Sequence, residues 1–154
     1  MLAGLAMDAR TALAAYLATW VAFASISIGA LGVVHMTYLV RRAWTEELHT
    51  ALMSAADLLP ICGVLFIPVL LGAAWIYPAA SDASALPAFK AVYLAPWFVA
   101  LRAVIYFVIW TVLVVMTKAA WGDQRRMNRV AAAGLIVLSL TVSLAGVDWL
   151  ESLN

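Results

Sequence analysis

Residues 130–154 read VAAAGLIVLSLTVSLAGVDWLESLN, and this stretch decides the fold. From Val130 to Val147 no residue carries a charge, and then an aspartate, a tryptophan and a glutamate follow within five positions. A helix needs about 20 residues to cross the roughly 30 Å of bilayer hydrocarbon. The segment has that length, and it ends in the amphipathic and charged residues expected at a lipid–water boundary. Its last polar group, Asp148, requires a partner, because a carboxylate at a helix C-terminus faces the negative end of the helix dipole.

The rest of the chain repeats the pattern. Of 154 residues, 67% are hydrophobic and only 11% charged, with a mean hydropathy of +1.03. A soluble domain carries about a quarter charged residues, so this composition suits lipid as the solvent. Backbone polar groups in lipid must be bonded within the segment, which predicts an all-α polytopic membrane protein. Four transmembrane helices in an up-down bundle are expected, at about 11–40, 51–77, 96–117 and 130–148. Pro96 suits a first helical turn. The connecting stretches RRAWTEELHT, PAASDASALPAFKAVYLA and KAAWGDQRRMNR hold most of the charge. The first segment is too long for a signal-peptide core, and Asp8 is out of place in a basic leader.

Arg41, Arg42, Lys118, Arg125, Arg126 and Arg129 fall on one side of such a bundle, against Arg10 and Lys90 on the other. The excess of Lys and Arg on cytoplasmic loops then predicts both chain termini outside and the two basic loops in the cytoplasm. Trp44 and Trp121 at one boundary, with Trp75, Tyr77, Tyr93, Trp97 and Trp149 at the other, suit interfacial belts. The near-neutral charge offers no surface for nucleic acid. Cys62 stands alone, so neither a disulfide nor a cysteine metal site forms within the chain.

Ionisable groups inside spans are costly and face the bundle interior. They are His35, Asp57, Arg102 and Asp148. His35 and Asp57 fall at matching depth on antiparallel neighbours, so a hydrogen bond between them is expected. Pro60 cannot donate to the carbonyl of Ala56, nor Pro68 to that of Val64, which makes the Asp57 corner a candidate proton relay. The bland reading is a neutral aspartic acid bonded to a neighbouring helix. Arg102, sharing a face with Tyr106, reaches outward toward Asp148, and the two are expected to form a structural ion pair joining spans three and four. His35 and His49 are a poor bis-histidine haem pair, since His49 borders a loop. Glu46, Glu47 and His49 read as a solvated helix start, while Ala24, Ser25, Ser27, Gly29 and Gly32 read as a close-packing surface. No phosphate loop, nucleophile elbow or metalloprotease motif is present.

Three stretches together resemble a known family: LPICGVLFIPVLLGAAWIYP, FKAVYLAPWFVALRAVIYFVIW and TVSLAGVDWLESL. They resemble the quinone-binding-type F subunit of bacterial alternative complex III, a quinol:cytochrome c oxidoreductase. That subunit is related to the polysulfide-reductase-like (NrfD-like) membrane subunits. Pro60, Pro68, Tyr77 and Pro78 match its proline pair and tyrosine–proline exit. Lys90, Tyr93, Leu94 and Arg102 match the entry to the next span, and Asp148, Trp149, Ser152 and Leu153 match its aspartate–tryptophan signature. Phe89, where the family often has histidine, and Glu151, in place of an apolar residue, depart from the pattern. Family members continue with about as many spans again, so the resemblance implies a truncated relative or one piece of a split subunit.

The resemblance implies a non-catalytic membrane subunit of a respiratory complex, packed against other membrane and redox subunits and against lipid. A quinone is possible, and His35 and Asp57 are the candidates for a proton path or a quinone headgroup. The alternative is a small stand-alone oligomeric transporter using Asp57 and Arg102. No counterpart of Pro60 and Pro68 in the other half supports the inverted repeat such transporters show. A haem-bearing redox subunit is a third class.

Overall fold

The computed structural model describes residues 2–40, 45–72 and 96–150, and all the elements in them are helical. α1 runs over Leu2–Val40, α2 over Thr45–Ala56, α3 over Leu59–Leu65, α4 over Ile67–Leu71, α5 over Pro96–Ala119 and α6 over Gln124–Leu150. Four membrane-length apolar segments result: Thr11–Val40, Leu48–Leu71, Trp97–Ala119 and Gln124–Asp148. The second is assembled from α2, α3 and α4. The fold is therefore all-α, with four helical spans. Residues 73–77 of the expected second span lie outside the described residues, as do Tyr77, Pro78, Lys90, Tyr93, Leu94, Ser152 and Leu153.

The buried positions explain why these helices stay together. On α6 they are Met127, Ala131, Gly134, Leu138, Thr141, Ala145 and Asp148, spaced alternately by four and three. On α5 the same rhythm runs through Ala103, Tyr106, Trp110, Leu113, Thr117 and Ala120, and on α1 through Leu17, Trp20, Ala24, Ser27, Leu31 and Val34. A seam with a mean spacing of 3.5 residues keeps facing its partner when helices coil left-handedly. The opposite faces, with Phe23, Ile26, Leu71, Ile136 and Leu140, are exposed, as lipid requires.

The second span keeps a different rhythm. Met53, Ala56, Leu59 and Cys62 are buried at intervals of three, after which Phe66 and Val69 follow at four and three. The backbone gives the reason. The Leu58 amide bonds back to Ala55 rather than to Ser54, and the Phe66 amide to Gly63. Each is an i→i−3 bond of the tighter helix with about three residues per turn. Pro60 and Pro68 stand in the first turns of α3 and α4, where a missing amide costs least.

α1 packs against α2, α3, α4 and α6, while α5 packs against α6 and α3. The spans thus close a ring in chain order, first beside second, third beside fourth, and fourth beside first. Contacts also cross the centre, where the Trp20 and Phe107 rings lie 5.9 Å apart. The fourth helix starts six residues before the expected Val130. Gly122 takes a φ of 87° at the turn. Asp123 then caps α6, its Oδ1 accepting the amides of Arg125 at 3.0 Å and Arg126 at 3.1 Å. Side-chain oxygens at this position satisfy amides that no preceding turn can reach.

Candidate functional site

Three polar layers are stacked along the inside of the bundle. The first lies where α5 begins and α6 ends. Arg102 Nε is 3.0 Å from Asp148 Oδ2, and Tyr106 donates its hydroxyl to the same oxygen at 2.7 Å. The Phe98 ring covers the guanidinium, its centroid 4.7 Å from Arg102 Cζ. The Arg102 and Asp148 side chains are only 13% and 2% exposed. Arg102 and Tyr106 are one turn apart on α5, so one face delivers both groups. The structure brings the expected pair together and adds Tyr106, whose position on that face was legible but whose bond to Asp148 was not anticipated.

The second layer is in the middle. Trp110, fully buried and roughly stacked on Tyr106, donates its indole N–H to Thr141 Oγ1 at 2.9 Å. The Thr141 hydroxyl is itself 2.8 Å from the Val137 carbonyl. On the opposite side of the ring, α1 repairs the breaks of the second span. The Phe66 amide has turned to Gly63 and the Val69 amide to Phe66, which releases the carbonyls of Cys62 and Leu65. Trp20 Nε1 donates to the Cys62 carbonyl at 2.9 Å, and the Tyr16 hydroxyl to that of Leu65 at 2.7 Å. The sequence expectation named the carbonyls of Ala56 and Val64, opposite the prolines; the tight turns release those of Cys62 and Leu65 besides, and aromatic donors one helical turn apart on α1 bond these two.

The third layer is at the basic end. His35 is completely buried, and its Nε2 lies 3.0 Å from Thr117 Oγ1. Thr117 has a single hydroxyl proton, and its Oγ1 is 2.7 Å from the Leu113 carbonyl, an i−4 back-bond. With that proton committed, Nε2 is the donor and Nδ1 keeps a lone pair. Among the described residues Nδ1 has no hydrogen-bond partner. The ring lies flat on α6 because residue 134 is glycine: a Cβ there would be 2.5 Å from His35 Cε1.

The expected His35–Asp57 hydrogen bond is not formed. Asp57 sits where α2 breaks, outside the core, with Lys118 Nζ 2.6 Å from Oδ1 and 2.7 Å from Oδ2. Both side chains are about half exposed, so this is a surface ion pair of the kind worth under about 1 kcal/mol. Distance along a helix carries no information about direction around its axis: His35 meets Thr117 and Asp57 meets Lys118, successive residues of α5. Beside it, His49 and Trp121 pack with ring centroids 3.7 Å apart, and Tyr38 meets both edge-on. The sequence reading had placed His49 in a solvated cluster with Glu46 and Glu47. Instead its ring joins an aromatic group at the boundary, while the side chains of the two glutamates lie outside the described residues.

Chemically, the first two layers hold the bundle together and leave few polar atoms for a substrate. The third contains a buried imidazole with an available lone pair. Among the described residues no three His, Cys, Asp or Glu side chains converge as metal ligands. Compared with known proteins, the chain matches no family model and no curated protein.

Proposed function

We propose that this chain is a non-catalytic membrane subunit of a bacterial respiratory quinol:acceptor oxidoreductase, set in the inner membrane with both termini periplasmic. Its role is to supply helices against which redox-bearing partner subunits pack. The observation that carries this reading is the Arg102–Tyr106–Asp148 clasp. Arg102 and Asp148 are residues on which the sequence resembles the quinone-binding-type F subunits, and here they join two spans in the interior rather than line an opening. The exterior that remains is largely apolar, with Phe23, Ile26, Leu71, Val104, Ile136 and Leu140 exposed, a surface suited to lipid or to other helices.

His35 is sealed between Thr117 and Gly134. The groove of about 440 Å³ between the second and third spans is lined almost entirely by apolar side chains, from Pro60 and Phe66 to Phe107 and Val112, with Thr111 the polar exception. Quinone contact, where the complex makes it, is assigned to surfaces completed by partner subunits. His35, rather than Asp57, is the residue we assign to any proton exchange, because it is the buried one with a lone pair to spare.

Purification of a tagged copy from its native membrane in mild detergent tests the assignment. Cytochrome and iron–sulfur subunits should co-purify with it. Recovery of a homogeneous oligomer of this chain alone would overturn the assignment and favour the transporter.

A further inference from the structure

Arg125, Arg126 and Arg129 stand within the first turns of α6, and all three are exposed. Among the described residues no carboxylate is engaged with them. Asp57 is held by Lys118, Asp148 by Arg102 and Tyr106, and Asp123 uses Oδ1 on two backbone amides. Positive charge at a helix N-terminus is unfavourable, because the dipole there is already positive. Arginines four apart on one face also repel. Three guanidiniums in this place call for an anion.

Their direction identifies its chemistry. At about 100° per residue, the three span an arc of about 100° centred some 170° from the buried stripe of Met127 and Ala131. They therefore face away from the bundle. Directly below on the same arc come Ala133, Ile136 and Leu140, all exposed, with Ile136 63% and Leu140 62% accessible. The alanine leaves a shallow notch beneath the arginines, and the two larger residues continue as an apolar track. Arg129 directly precedes Val130, where the apolar run begins, and the exposed Trp121 marks the same boundary. A concentrated positive charge at headgroup level over an apolar track has the profile of one lipid molecule, not of a free anion.

We propose that the outer face of α6 seats an anionic phospholipid, its phosphate held by Arg125, Arg126 and Arg129 and an acyl chain laid over Ala133, Ile136 and Leu140. This site does not rest on the respiratory assignment. Each basic residue near an anionic headgroup contributes on the order of a fivefold preference, so the three together give roughly a hundredfold.

The test uses the full chain, delipidated in dodecyl maltoside and exposed to equal amounts of phosphatidylglycerol and phosphatidylcholine. After size exclusion, lipid mass spectrometry measures what stays bound. Phosphatidylglycerol should be retained in large excess, and the excess should shrink at 0.6 M salt, where screening shortens to about 4 Å. The Arg125→Gln/Arg126→Gln/Arg129→Gln variant should retain both lipids about equally, and each single Arg→Gln variant should lose about fivefold. Ala133→Phe, with the arginines intact, should also reduce retention by filling the notch. Equal binding of the two lipids by the unaltered protein, or an undiminished preference in the single variants, would overturn the proposal. So would displacement of the lipid by 10 mM inorganic phosphate, which would mark a free-anion site.

Discussion

Replacing Arg102 by Leu removes the cation from a carboxylate that is 2% exposed and leaves Tyr106 as the remaining partner 2.7 Å away. Losing one member of a buried ion pair costs about 3–5 kcal/mol, since the other charge stays buried without compensation. The expected loss is therefore about 3–5 kcal/mol. Asp148→Asn should cost less, about 1–2 kcal/mol, because Arg102 begins 13% exposed and its long stem lets the guanidinium turn toward the boundary. Combining the two should restore about 2 kcal/mol relative to the sum of the single losses, as expected for residues in direct contact. Unfolding in mixed micelles, followed by tryptophan fluorescence, measures all three. Lys118→Met provides the reference, since the exposed pair with Asp57 should yield under about 1 kcal/mol. Strictly additive losses would refute the clasp, and so would an Arg102→Leu effect no larger than that of Lys118→Met.

Two further outcomes follow from the other layers. Gly134→Ala should destabilise by about 1–3 kcal/mol, the usual result of overpacking, because the new methyl would meet His35 at 2.5 Å. Adding His35→Ala should recover part of that loss in the same unfolding assay, and no recovery would show that the glycine serves some other contact. Trp20→Phe keeps an aromatic ring beside Phe66 but removes the indole N–H bonded to the Cys62 carbonyl, together with part of the buried ring volume. It should cost about 1–2 kcal/mol, whereas Trp97→Phe, at a residue 65% exposed, should be nearly silent.

The features legible in the sequence were those fixed by distance along a helix. Span length and apolarity gave the four helices, and counting residues from each boundary put Arg102 within reach of Asp148. What the sequence concealed was rotation about the axis. His35 and Asp57 bond successive residues of α5, Thr117 and Lys118, rather than each other. Likewise the prolines advertised a broken span, while the release of the Cys62 and Leu65 carbonyls depends on which amide shifts its bond. Tyr16 and Trp20 stand one turn apart on α1. Nothing in their spacing announced that each would bond a backbone oxygen on another helix.

That arrangement makes the second span a dependent element during biogenesis. Alone in hydrocarbon it would leave the carbonyls of Cys62 and Leu65 bare, and each unsatisfied backbone group there costs several kcal/mol. The donors that quiet them, Tyr16 and Trp20, belong to the helix synthesised just before it. The kinked rod therefore leaves the insertion machinery most favourably as a hairpin with its predecessor, and the order of the chain is also the order in which its polar groups find shelter.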